Sequence, residues 1–429
     1  MKSILNYYFK MNPFVIFSPF LLLFIFIILK FSSNQLQGDE GRYLDFAKNI
    51  INGFYSPPSP NINLWNGPGY PLFITPFVWI KAPLIIIKIA NAFLQYFSIV
   101  LLFYAINKIT TRTHALIFSF IWGFYYLSYQ ELTSLLSEPF TSFLSALTVF
   151  FLTKVNESKF RKNLYILMTG FTIGILSLTK IIFGYVLLVL IIGYSLLLLF
   201  RNSRNEDKRG STIIIIAFLL NTPYLIYTYN LTGKVLYWGN SGGNSLYWMS
   251  TPIEGEFGDW NNSSFTANCG NDLKIPCNSD LFAKNHQKNF DYINNFPIIS
   301  QDDEFKKIAI MNIKSNPIKY IRNCISNFSR LLFGIPNSYF YQREQTIWRI
   351  LPNAIIFTML IICLVIAVIN YKNIKSEVRL VIGLTVLYLF FSTLVSAYPR
   401  HFYVIIPFLF FWFSYIFSKT VVLKLKIEA

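Results

Sequence analysis

At 429 residues, 54% of them hydrophobic and 13% charged, the chain is too apolar for a soluble globular protein, which carries about 25% charged residues. Its net charge of +17 is spread over the ends of apolar runs rather than gathered in one patch, which excludes nucleic acid as a partner and names membrane lipids instead. Four cysteines in so long a chain exclude a disulfide scaffold, and a mean hydropathy of +0.46 describes a chain solvated mostly by lipid.

A membrane-spanning helix needs about 20 predominantly apolar residues. The first run, 13–31, follows Lys2 and Lys10 and precedes no small-x-small cleavage pattern, so it reads as a span and not as a cleavable signal. Further runs lie at 83–106, 115–129, 139–153, 164–179, 181–200, 211–229, 351–370, 380–397 and 402–418. The fold class is therefore an all-α polytopic membrane protein of about ten spans. It divides into an N-terminal transmembrane module, 1–229, an extracytoplasmic segment, 230–350, and C-terminal transmembrane helices, 351–429.

Two connections are long. In the first, 32–82, Tyr43, Phe46, Ala47, Ile50, Ile51 and Phe54 recur at helical spacing, which predicts an amphipathic helix along the membrane, ended by Gly53 and Pro57-Pro58. The second, 230–350, is a longer mixed segment with an acidic patch at Asp302-Asp303-Glu304. It continues into a helix with Ile318, Ile321, Ile325, Phe328 and Leu332 on one face. Lys314, Lys319, Arg322 and Arg330 accompany that face, as in a basic helix at a lipid-phosphate surface. Gly239, Gly242 and Gly243 lack phosphate-loop spacing and read as turns. Cys269 and Cys277 read as a small disulfide or as two free thiols, and Cys324 and Cys363 as small packing residues.

Loop charge orients the bundle. With the N-terminus inside, the inner connections carry Lys108 and Arg112; Lys154, Lys159, Arg161 and Lys162; Arg201, Arg204, Lys208 and Arg209; Lys372, Lys375 and Arg379; and the tail Lys419, Lys424 and Lys426. The short outer ones carry only Glu131 and Glu138, then Lys180, then Arg400 and His401. Positive charge inside places the first loop outside the cytoplasmic membrane.

Ionisable groups at a membrane boundary are functional candidates. Asp39 and Glu40 open the first loop's helix. A carboxylate there either caps the helix or takes a proton from an attacking hydroxyl, and the two roles are compatible. Adjacent helical residues face different ways, so the two acids have different jobs. Glu138 ends an outer turn, where it either orients a substrate or is an exposed helix-end acid. Arg42, Lys180, Arg400 and His401 are the cations that would neutralise a phosphate. Tyr43, Trp65, Tyr70, Tyr237 and Trp238 either line a substrate or belong to an interfacial aromatic belt. With His114 and His286 the only other histidines, no histidine metal cluster forms.

The string DEGRYLDFAKNIINGFY followed by GPGYPLFI resembles the first outer loop of the GT-C superfamily of membrane glycosyltransferases. Within it the chain is most similar to bacterial proteins related to the protein O-mannosyltransferases and the lipid A aminoarabinose transferases. Looser matches follow in order at Ser137-Glu138-Pro139, Leu178-Thr179-Lys180, Asn221 to Trp248, Asn316-Pro317 and Tyr398-Pro399-Arg400-His401. The resemblance implies a polyprenyl-phosphate-linked sugar as donor, inversion at the anomeric carbon and Asp39 as catalytic base, assisted by Glu40 or Glu138. The acceptor would be a lipid, glycan or protein hydroxyl. No cofactor is implied as certain, and a divalent cation stays open. Where aminoarabinose transferases carry Lys-Pro-Pro this chain has Gly67-Pro68-Gly69-Tyr70-Pro71, which argues against lipid A as acceptor. The alternatives are a flippase or transporter of lipid-linked sugar, and a polysaccharide ligase or polymerase.

Overall fold

The computed structural model describes residues 11–36, 38–155, 160–200, 205–261, 279–340 and 346–420. Cys269 and Cys277, with Lys2, Lys10, Lys159, Arg201, Arg204, Lys424 and Lys426, lie outside them. Among the described residues the regular structure is helical. Its helices are α1 (Pro13–Phe31), α2 (Asp39–Ile51), α3 (Gly69–Trp79), α4 (Leu84–Ile109), α5 (Arg112–Gly123), α6 (Tyr126–Leu132), α7 (Glu138–Lys154), α8 (Lys162–Thr179) and α9 (Ile182–Phe200). They continue with α10 (Asn205–Thr232), α11 (Gly242–Met249), α12 (Ser279–Ile293), α13 (Ile298–Ser315), α14 (Pro317–Phe333), α15 (Ile347–Ile369), α16 (Ser376–Leu394), α17 (Pro399–Tyr403) and α18 (Ile406–Thr420).

The chain is a multi-pass, all-α membrane protein. Among the described residues six helices, α1, α4, α9, α10, α15 and α16, are by length and composition able to cross a bilayer, and each coincides with a predicted run. The predicted run 115–129 is instead two helices, α5 and α6, broken at Phe124 and Tyr125. There Tyr129 donates its hydroxyl to the Gly123 carbonyl at 2.7 Å.

Runs 139–153, 164–179 and 402–418 correspond to α7, α8 and the α17–α18 pair; α7 and α18 stand inside the bundle, while α8 keeps Leu164, Leu167 and Phe171 exposed on its outer face. Helix α18 is buried from Ile406 to Ile416 and touches α4, α5, α7, α15 and α16. A helix apolar all round belongs in such a centre. Helix α7 packs on α4 and α8, and its buried hydroxyls find partners there: Ser145 bonds the Val404 carbonyl at 2.9 Å and Thr148 the Thr172 hydroxyl at 3.0 Å.

Helix α2 forms where the periodicity predicts, and its apolar face packs on protein. Phe46, Tyr55, Ile62 and Leu64 join Tyr224, Leu225 and Trp238 in a small core that ties the first loop to the end of α10. The long second connection carries helices α11 to α13 around a separate core of Tyr247, Trp248, Phe282, Phe290 and Phe305, while α14 packs Leu331 and Leu332 into the main core. Gly242 and Gly243 do not make turns but open α11, whose Gly243 and Asn244 amides donate to the Asp302 carboxylate at 2.7 and 3.2 Å.

Helix α14 keeps its apolar face at Ile318, Ile321 and Ile325, all exposed, while Leu332 is buried. Arg330 departs from the surface expectation. It is fully buried and donates to the carbonyls of Ala397, Phe257 and Pro336. Cys324 and Cys363 are free thiols, with Cys363 fully buried.

Candidate active site

Four charged side chains meet at one end of the bundle, one from each of four turns that the charge pattern assigns to the same face. Asp39 begins α2, Glu138 begins α7, Lys180 occupies the break between α8 and α9, and Arg400 lies in α17. Arg400 Nη2 lies 2.7 Å from Asp39 Oδ2, and its Nε lies 3.9 Å from Glu138 Oε1. Lys180 Nζ donates to the same Glu138 oxygen at 2.7 Å. Arg42 flanks Asp39 on the other side at 3.3 Å, bonds Asn66 at 3.2 Å, and lies over the Trp65 ring 5.2 Å from its centre.

Local sequence explains each position. Gly38, at φ +56°, turns the chain abruptly into α2, a conformation that side-chain-bearing residues rarely adopt. Asp39 is then the first residue of the helix and makes no capping bond; its carboxylate points to the two arginines. The capping role open in the sequence is not the one it takes.

Gly67 and Gly69 let the start of α3 lie against the end of α8. A Cβ at Gly67 would stand 2.0 Å from the Leu178 carbonyl oxygen, and one at Gly69 2.1 Å from Thr179 Oγ1. That contact sets Lys180 beside the first loop. Glu138 stands at the positive end of α7, where an anion is favoured.

Asn327, in α14, holds the chain ahead of Arg400. Its amide group donates to the Ser392, Thr393 and Val395 carbonyls, and its Oδ1 accepts from the Ala397 amide and from Arg330. Asn327 and Arg330 thus position Arg400 without touching it. Sequence reading missed both, because a buried arginine on an amphipathic helix has the same spacing as a surface one.

Burial works to raise the Asp39 pKa, but Arg400 and then Arg42 outweigh it and hold the carboxyl below its ordinary value of 3.8. Burial, with Lys180 and Arg400 beside it, pushes His401 well below the imidazole range, so it is neutral. Its Nδ1 accepts the Tyr398 backbone N–H at 3.3 Å, which leaves the proton on Nε2. His401 therefore offers an uncharged donor and not a cation.

These groups line a cavity of about 480 Å³. Its lining joins the polar Asp39, Arg42, Trp65, Asn66, Lys180, Arg400 and His401 to Ile182 and Tyr185 of α9 and Tyr388, Phe391 and Leu394 of α16, which form an apolar cleft. Tyr43 lines it too, with its hydroxyl on Ser137 at 3.1 Å.

The structure does not bring five expected residues into the lining of this cavity: Glu138 is fully buried behind Lys180 and Arg400, and four others lie elsewhere. Glu40 points the other way, its carboxylate accepting the Leu135 amide at 2.5 Å. Tyr70 is buried against Asn91, and Trp238 bonds Asn221 at 3.0 Å under Gly184. Tyr237 lies beneath Lys234, 4.7 Å from its ring centre. Their surroundings are packing. Trp260, absent from the sequence expectations, lines the cavity opposite Trp65. Among the described residues no three His, Cys, Asp or Glu side chains gather as a metal set.

No protein-family model matches the chain, and no curated protein matches it in sequence. Its fold does match solved structures. The Archaeoglobus fulgidus oligosaccharyltransferase, tethered to an acceptor peptide containing the NVT sequon, matches with a TM-score of 0.52 at 11% identity over 94% of this chain and 50% of that one. Its apo form matches with a TM-score of 0.52 at 11% identity over 94% of this chain and 51% of that one. ArnT from Cupriavidus metallidurans, bound to undecaprenyl phosphate, is similar with a TM-score of 0.42 at 10% identity over 93% of this chain and 77% of that one. The chain spans about half the length of the archaeal protein. What this chain shares with the matched half of that oligosaccharyltransferase is the fold.

Proposed function

We propose that this protein is an inverting glycosyltransferase of the cytoplasmic membrane, moving a sugar from a polyprenyl-phosphate carrier to an acceptor hydroxyl on the outer face. One observation carries the reading: a single cavity joins the Asp39–Arg400 pair to an apolar cleft between α9 and α16. The cleft would take the first part of a prenyl tail, and its phosphate would then meet Arg400, Lys180 and Arg42.

In the resting site Arg400 is occupied by Asp39. A donor phosphate would compete for that guanidinium and release the carboxylate. Asp39 then accepts the proton of the acceptor hydroxyl as its oxygen bonds the anomeric carbon from the face opposite the phosphate. The bond from that carbon to the phosphate oxygen breaks, and the electron pair leaves with the polyprenyl phosphate. Arg400, Lys180 and the Nε2–H of His401 receive the growing negative charge, where fixed donors in a water-poor site are most effective. The configuration at the anomeric carbon inverts.

The test uses the full chain in proteoliposomes with a labelled prenyl-phosphate sugar. Appearance of labelled sugar on an acceptor, with free prenyl phosphate released, is the expected result. Movement of the intact carrier across the bilayer with no transferred sugar would overturn it in favour of a transporter. A long polymer in place of a single added sugar would indicate a polymerase.

A further inference from the structure

A second cavity, of about 320 Å³, lies on the other side of Arg42, Trp65 and Trp260, which line both. Ligand sites are usually apolar with a few polar groups; here polar and apolar surface are about equal. Six lining side chains are amides, among them Asn244, Asn261, Asn294 and Gln301, accompanied by the Asp302 carboxylate and the rings of Phe290 and Phe305.

The wall is rigid. Trp260 Nε1 donates to Asn244 Oδ1 at 2.7 Å, and Asp302 is held by two α11 amides. Asn261 is 3% exposed, and its Oδ1 is a buried acceptor with no partner among the described residues. Such an atom normally finds one.

We infer that this cavity binds a neutral saccharide, and that the acceptor of the reaction is therefore a carbohydrate. The second half of the inference rests on the proposed transfer reaction. Amides both donate and accept, so they match hydroxyl groups that do the same, and aromatic rings cover the C–H faces of a sugar. Arg42 and Asp302 are the charged lining groups and oppose each other in sign, so an anionic ligand gains nothing here. A peptide would need a strand edge or a series of apolar pockets, and the lining supplies neither. Trp65 and Trp260, in edge-to-face contact at 6.4 Å, and Arg42, 3.3 Å from Asp39, form the wall between the two cavities, so a saccharide seated here presents a hydroxyl past the rim of that wall toward Asp39.

The test measures binding by saturation-transfer NMR on the full chain in lipid nanodiscs. The probes are neutral trisaccharides of glucose, galactose, mannose and N-acetylglucosamine, and a hexapeptide bearing Ser and Thr. At least one trisaccharide is expected to bind. Trp260→Ala should weaken that binding about tenfold or more, as loss of a buried aromatic anchor does, while Trp260→Phe keeps most of it. The Asn294→Ala/Gln301→Ala double variant, at more accessible positions, should weaken it as well. Binding by no trisaccharide, trisaccharide binding indifferent to these changes, or the hexapeptide competing for the site would each overturn the inference. Binding needs neither donor nor turnover. Sugar transfer without saccharide binding defeats this inference alone, whereas saccharide binding without transfer defeats the proposed reaction and leaves the site.

Discussion

Arg400 and Asp39, 361 positions apart in sequence, form a 2.7 Å ion pair that joins the turn before the last helix to the first loop. The pair masks the carboxylate until an anion takes the guanidinium. Arg400→Gln therefore removes a phosphate ligand and unmasks Asp39. Loss of one such fixed donor lowers turnover by about 10²–10³-fold, and steady-state kinetics should show a raised KM for the donor as well.

Glu138 is fully buried between Lys180 and Arg400. Removing one member of a buried pair costs about 3–5 kcal/mol, because the partner's charge is left uncompensated. Glu138→Ala should lower the thermal midpoint of the purified protein clearly. The double variant with Lys180→Ala should lose less than the two single losses together, which a double-mutant cycle measures.

Gly67 has no room for a side chain. Gly67→Ala puts a methyl into the Leu178 carbonyl and forces α3 away from α8. Overpacking of this kind costs about 1–3 kcal/mol. Because the same contact sets Lys180, transfer should fall further than stability alone explains; thermal melts and initial rates on one preparation separate the two effects.

Two carboxyls titrate in different windows. Asp39 is held below 3.8 in the folded state, so its pair contributes stability above that pH and loses it only as the pH falls through the lowered value. Glu131 behaves oppositely. Loss of water, and then the charge of Glu138, raises it from 4.5 to about 7. The folded protein then holds a proton that the unfolded chain has released, so stability falls as the pH rises from 4.5 to about 7 and is flat above. Glu131→Gln should abolish that slope, which thermal midpoints across the range would record.

Much of the site is legible in the sequence because it depends on loop charge. Asp39, Glu138, Lys180 and Arg400 each stand in a turn that the positive-inside pattern puts on one face, and the structure joins all four. Glu40 is less legible. One helical step turns a side chain by about 100°, and only packing decides which of two neighbouring acids meets the cavity. Tyr237 and Trp238 resemble Trp65 in composition and context, yet the small core under the first loop absorbs Trp238. Trp260 belongs to a stretch with no periodicity at all, so nothing in the local sequence marks it as part of the cavity wall. The break at Phe124 and Tyr125 is equally silent, because the apolar run continues across it.

The central claim is that Asp39 removes the acceptor's proton. Transfer from a labelled prenyl-phosphate sugar, compared between the native chain and Asp39→Asn at equal thermal stability, tests it most directly. The account predicts a loss of roughly 100- to 10,000-fold, the contribution of a positioned base. A variant that transfers at close to the native rate would contradict it.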